Sequence, residues 1–177
     1  MLLMPTVIDL HKSASGQIAT PLLSTVGFVP ELVQSLATAV RYGLPPAWLK
    51  GLVSRVTGME GQGLETTVNF LASARGVNEA LHLARDEVAQ IRQDKWGQEI
   101  WGVQGPQLYF LFAQQDHWVA DATRKEIVDV HGGSARRIVI DEHEGLAHAW
   151  PLRSTGPVVK MVLPWIHEVL DSHAVKG

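Results

Sequence analysis

The apolar positions of this chain follow two different patterns. Leu108, Tyr109, Phe110, Leu111, Phe112 and Ala113 form an unbroken run between Pro106-Gln107 and the polar pair Gln114-Gln115. Such a run fits a strand covered on both faces, as in a parallel sheet. Residues 2–8 and the R-I-V-I at 137–140 predict two more strands. Pro5 is awkward in the first of these, because it cannot donate a ladder hydrogen bond. Elsewhere the apolar residues recur at three and four. Leu32, Val33, Leu36, Ala37 and Val40 make one helical stripe, and Trp48, Leu49, Leu52, Val53 and Val56 make a second behind Pro45-Pro46. Residues 66–74 predict a third helix, and Leu81, Ala84, Val88 and Ile91 a fourth that begins near Asn78.

The connections follow from the punctuation. Residues 11–20 read as a polar turn with Gly16 in the left-handed conformation and Pro21 restarting the chain. Residues 96–105 read as a glycine-rich loop. An amphipathic helix over 121–130 stops at His131-Gly132-Gly133. Residues 141–150 make a polar loop, and Thr155 caps a last helix that Pro164 should kink or shorten. The predicted order is strand, helical insertion, strand, helix, strand, helix. That is an α/β fold with helices flanking a parallel sheet. The insertion over 21–105 is far longer than an ordinary crossover and reads as a cap over one end of the sheet.

Composition narrows the picture. The chain is 46% hydrophobic and 19% charged, enough to build a core. A formal net charge of −3 without a Lys/Arg-rich run gives no general attraction to nucleic acid or to anionic membranes. The absence of cysteine excludes disulfides, zinc–thiolate sites and thiol nucleophiles. No apolar run approaches the roughly 18 residues of a membrane span, and the first residues lack a signal-peptide pattern. The absence of cysteine fits an intracellular protein.

The candidate chemistry lies at the strand ends. Asp116 follows the central strand and His148 follows the next one. In neighbouring parallel strands both leave the same edge of the sheet, where open α/β sheets bind ligands. An acid that orients a histidine, and a histidine that moves protons, are two members of a nucleophile-activating triad, and acid before histidine is the α/β-hydrolase order. Read from spacing alone, Asp116 is equally a turn or helix-capping residue, and His148 equally a surface residue. No serine stands in the expected G-x-S-x-G: Ser15 and Ser134 have incomplete glycine frames, and Ser54, Ser73 and Ser154 have none. Asp141, Glu142, His143, Glu144 and His148 could hold a divalent metal, although a solvated loop is the simpler reading. His117 is expected to point away from Asp116. The apolar face of residues 45–57, with Trp48 and Lys50, either touches a lipid surface or packs on its neighbours.

Three segments carry a family resemblance: L-L-M-P-T-V-I-D-L-H-K-S-A-S-G-Q-I-A-T-P-L-L at the start, L-Y-F-L-F-A-Q-Q-D-H-W-V-A in the middle, and G-L-A-H-A-W. They resemble the lipid droplet-associated hydrolases of the α/β-hydrolase superfamily, and the likeness runs to about Leu170. It implies that residues 1–20 hold the sixth core strand and a turn, 21–105 the cap, and 106–177 a C-terminal βαβα core: one partial domain. It implies Asp116 as triad acid, His148 as triad base, no metal and no organic cofactor. The implied substrate is a carboxylic ester of a lipid, such as a sterol ester or another neutral lipid. The implied location is the lipid-droplet or endoplasmic reticulum surface, otherwise the cytoplasm. The same likeness places the nucleophile and the oxyanion donors upstream of these residues, so the chain reads as a fragment that is inactive alone. Its first strand would be an open edge prone to self-association. The competing reading is a non-catalytic lipid-surface or protein-interaction module.

Overall fold

The structure, a computed structural model, describes residues 1–97, 101, 108–142 and 145–174. Pro106, Gln107 and most of the predicted 96–105 loop lie outside the described residues, as do His143 and Glu144; of Ser134 only the backbone is described. Two compact units emerge, one from Met1–Pro5 with Lys95–Gly177, the other from Thr6–Asp94.

The first unit is α/β. Strands β1 (Leu2–Leu3), β2 (Leu108–Ala113) and β3 (Ala135–Asp141) form a parallel sheet in the order β1-β2-β3. β1 is shorter than the apolar run 2–8 suggests. Met4 turns to a φ of +47° and donates its N–H to the Leu111 carbonyl at 2.7 Å, and Pro5 follows without a donor. β2 is central and almost wholly buried. Its alternate residues face opposite sides of the sheet. Tyr109, Leu111 and Ala113 pack in a core cluster with Met4, Leu146 and the face of a long C-terminal helix made by Val158, Val162 and Trp165. Phe110 and Phe112 stack at 5.8 Å, and Trp101 stacks on Phe110 at 6.4 Å.

Between β2 and β3 runs helix α6 (Asp121–His131), closed by a 3-10 turn at Gly132–Ser134. After β3 come the short α7 (Trp150–Arg153) and α8 (Thr155–Ala174). α8 continues through Pro164, so the proline does not shorten it, and Thr155 is its first helical residue rather than its cap.

The second unit holds helices α1 (Ala14–Thr25), α2 (Val29–Gly43), α3 (Pro46–Thr57), α4 (Gly61–Leu71) and α5 (Gly76–Gln90). The polar turn predicted over 11–20 is instead a 3-10 turn at Leu10–Lys12 running into α1, and Pro21 lies inside that helix. Ser13 caps it: the buried hydroxyl donates to the Leu10 carbonyl at 2.8 Å and accepts from the Gly16 N–H at 2.9 Å. Gly16 is needed for close approach rather than for a left-handed turn, since a Cβ there would sit 1.9 Å from the Leu10 carbonyl oxygen. α4 begins five residues before the predicted Thr66, with Glu60 preceding it. On α3, Leu49 and Val53 are buried while Trp48, Leu52 and Val56 are exposed. Among the described residues no single helix is long and apolar enough to cross a membrane; α1 and α2 pass such a test only together, bent by 104°.

Candidate active site

The register of the sheet sets the site. Ala113 pairs with Asp141, so β2 and β3 end level with one another. Both chains therefore leave the sheet side by side at its C-terminal edge. The β2 exit is fastened by Arg124 from the first turn of α6. Its Nη1 donates to the carbonyls of Ala113 and Gln114, each at 2.8 Å, and its Nη2 lies 2.9 Å from Asp121 Oδ1. One guanidinium thus joins the last strand carbonyl, the following turn and the start of the helix. Removing it leaves two carbonyls short of a charged donor. Arg124→Ala is expected to cost about 1–3 kcal/mol. Arg124→Lys should recover only part of that, because an ammonium lacks the planar fork. Urea midpoints of the three chains measure it, and an unchanged Arg124→Ala midpoint would refute the fastening.

Inside that turn sits Asp116. Its Oδ1 accepts the N–H of Trp118 at 2.7 Å and of Val119 at 3.2 Å. These bonds lock the carboxylate and leave Oδ2 for a second partner. That partner is His148, whose Nδ1–H donates to Oδ2 at 2.9 Å. The side chain of Asp116 is 2% exposed and that of His148 is 30% exposed. The acid is thereby withdrawn from water while the imidazole reaches it. With Nδ1 holding its proton against the carboxylate, Nε2 carries the free lone pair. The Trp118 ring lies 6.5 Å from the imidazole, tilted by 48°.

The β3 exit is fastened by a different device. Asp141, buried at the end of the strand, accepts the N–H of Leu146 on its Oδ2 at 3.0 Å. Gly145 adopts a φ of +60°, a conformation natural to glycine, just before this contact. Leu146 then anchors in the core, and His148 follows two residues later.

The structure therefore brings together the two residues singled out from the sequence. His148 opens on a cleft of about 450 Å3 with largely polar walls, among them Gln114, Gln115, His117, Glu142 and Arg153. His117, expected to point away from the acid, lines this cleft beside His148. Of the loop residues weighed against a solvated loop as metal ligands, Asp141 and His148 are engaged with Leu146 and Asp116, and no group of three metal-ligating side chains occurs among the described residues. Sequence reasoning missed the anchoring roles of Arg124 and Asp141. Arg124 carries no signal distinguishing it from a surface helix charge; Asp141 as the last residue of a strand could have been read as a loop anchor.

No solved structure matches the chain. Residues 1–151, an interval that contains both Asp116 and His148, match the family described as lipid-droplet associated hydrolase. That match covers most of the 177 residues, and the chain belongs to the lipid-droplet associated hydrolase family.

Proposed function

We propose that the chain forms the acid–base half of a serine hydrolase acting on carboxylic esters of lipids, with sterol esters and other neutral lipids as the substrate class. The observation that carries the reading is the buried Asp116 carboxylate, pinned by two backbone N–H groups and bonded through its free oxygen to His148 Nδ1. In this reading the three parallel strands are the last three of an α/β-hydrolase sheet, residues 21–105 its cap and 106–177 its C-terminal core. Together with residues 1–20 they make one partial domain.

The chemistry follows from the protonation pattern. A serine hydroxyl attacks the ester carbonyl as its proton passes to His148 Nε2. The imidazolium that forms is held by the Asp116 carboxylate. His148 then returns the proton to the departing alcohol; in the second half it takes a proton from the water that attacks the acyl-enzyme and gives it to the serine oxygen as the carboxylic acid leaves. The serine and the oxyanion donors belong to sequence outside these 177 residues, which contain no G-x-S-x-G. Catalysis would take place at a lipid-droplet surface, in keeping with the family name, or at an endoplasmic reticulum surface. Among the described residues β1 pairs on one side only, and its other side is the edge through which the rest of the sheet, or another copy, would add.

The lack of a nucleophile motif also favours a second reading, a lipid-surface or protein-interaction module without chemistry. Fluorophosphonate labelling tests the pair. The 177-residue chain should label only at background. A longer product of the same gene with an in-frame G-x-S-x-G should label stoichiometrically and lose the label on His148→Ala. Stoichiometric labelling of the short chain refutes the missing nucleophile. Absence of labelling in a longer, motif-bearing chain refutes the hydrolase.

A further inference from the structure

The cleft beside His148 holds chemistry that the acid–histidine pair does not use. Its walls carry the carboxamides of Gln114 and Gln115, the imidazole of His117, the carboxylate of Glu142 and the guanidinium of Arg153, and all five residues are exposed. Asp141, the other carboxylate in the lining, is buried and turned to the Leu146 N–H. The exposed groups offer donors and acceptors side by side. An anionic ligand would meet Glu142, and a cationic one Arg153. Hydroxyls match such a wall, because each can donate and accept at once.

The place of the cleft decides which part of a substrate meets these walls. Asp116 holds His148 Nδ1 at 2.9 Å, so Nε2 is the nitrogen that handles protons. As the acyl carbon–oxygen bond of the ester breaks, that nitrogen gives its proton to the oxygen of the departing alcohol. The alcohol must therefore leave within hydrogen-bond reach of His148, beside the cleft that His148 lines. A sterol has no oxygen other than the one in the ester. Seated against these walls it would strip water from polar side chains and return no hydrogen bond. An alcohol with further free hydroxyls replaces that water with bonds of its own. Gln115 and His117 stand on either side of Asp116 in the chain, which ties these two wall residues to the acid itself.

We propose that this cleft receives the leaving alcohol and selects one with free hydroxyls, as in a monoacylglycerol, over a sterol or a fully acylated glycerol, with Gln115 and His117 as specificity-determining residues. The proposal rests on the ester-hydrolase reading and narrows its substrate class. The test offers a product of the gene that carries G-x-S-x-G three palmitoyl esters in one mixed micelle: 1-monopalmitin, tripalmitin and cholesteryl palmitate. All three then share an acyl chain and a surface. Internal competition should favour monopalmitin at least about a hundredfold in kcat/KM, because a site that hydrogen-bonds a hydroxyl rejects an analogue without it. Gln115→Leu combined with His117→Leu should lower that ratio at least about tenfold. Leu170→Ala, on the exposed side of α8, should leave it unchanged. A merely structural loss would slow the three esters alike. The 177-residue chain supplies a second measurement without turnover. 1-O-Butylglycerol, an ether that cannot be hydrolysed, should shift the imidazole proton resonances of His117 and His148 saturably in the millimolar range. Cyclohexanol, a ring with one hydroxyl, should not. Equal or reversed preference, a ratio untouched by the double variant, or no saturable shift overturns the proposal. If any of these appears while His148→Ala still abolishes hydrolysis, the hydrolase reading stands without it. If none of the three esters is turned over, the hydrolase reading fails and the leaving-group role fails with it.

Discussion

Asp116→Asn is expected to lower ester hydrolysis about 10⁴-fold in any product of this gene that carries the nucleophile, with little change in fold. The isostere keeps the shape of the turn. Its amide oxygen can still accept the N–H groups of Trp118 and Val119, which hold Oδ1 at 2.7 and 3.2 Å. Its amide nitrogen then faces His148 Nδ1, where Oδ2 now stands at 2.9 Å. A donor in that place demands a lone pair on Nδ1, so the imidazole proton moves to Nε2. The base is disarmed by its tautomer although every heavy atom stays in position. His148→Ala removes the proton carrier itself and should cost on the order of 10⁶-fold. Single-turnover hydrolysis of a short soluble ester measures both, and unchanged melting temperatures separate chemistry from unfolding. If Asp116→Asn keeps more than a tenth of the parent rate, the carboxylate is a turn residue and the triad reading fails.

This pair was legible in the sequence because Asp116 follows a run that reads as a buried strand and His148 follows the next predicted strand, in acid-before-histidine order. Phe110 and Leu111 are wholly inaccessible, as an unbroken apolar run between polar ends requires. Parallel pairing then sends Asp116 and His148 off one edge without further assumption. What the sequence concealed is the fastening. Arg124 looks like one more charge on an amphipathic helix, and only the level register of β2 and β3 reveals that it holds two exit carbonyls. The N-terminal corner was misread for a related reason. H-K-S-A-S-G has the composition of a turn, but Ser13 uses its hydroxyl as a helix cap and Gly16 supplies clearance for a carbonyl. Turn residues and capping residues are the same residues, and local composition does not separate them. Helical periodicity was legible, but the destination of the apolar faces was not. Leu36, Trp48 and Leu52 belong to regular stripes and yet remain exposed, because a stripe records that a face is apolar and not what covers it.

Phe110→Ala should be the most destabilising of the single core truncations, costing about 3–5 kcal/mol. The side chain is 0% exposed, stacks on Phe112 and Trp101, and sits on the residue that pairs with Leu2 on one side and Ile138 on the other. Its loss opens a cavity at one of the two β2 positions, Phe110 and Leu111, that pair with both neighbouring strands. Domains are stable by only about 5–15 kcal/mol in total, so the variant should lose at least about a fifth of its margin. Phe110→Leu keeps much of the volume and should recover more than half of the loss. Leu170→Ala, on the exposed side of α8, supplies the contrast: a change within about 0.5 kcal/mol. Urea midpoints at constant slope measure all three. A Phe110→Ala loss no larger than that of Leu170→Ala would show that β2 is not the central element. It would also remove the reason for Asp116 and His148 to meet, since the strand that carries the acid would then have no fixed place beside the strand that carries the base.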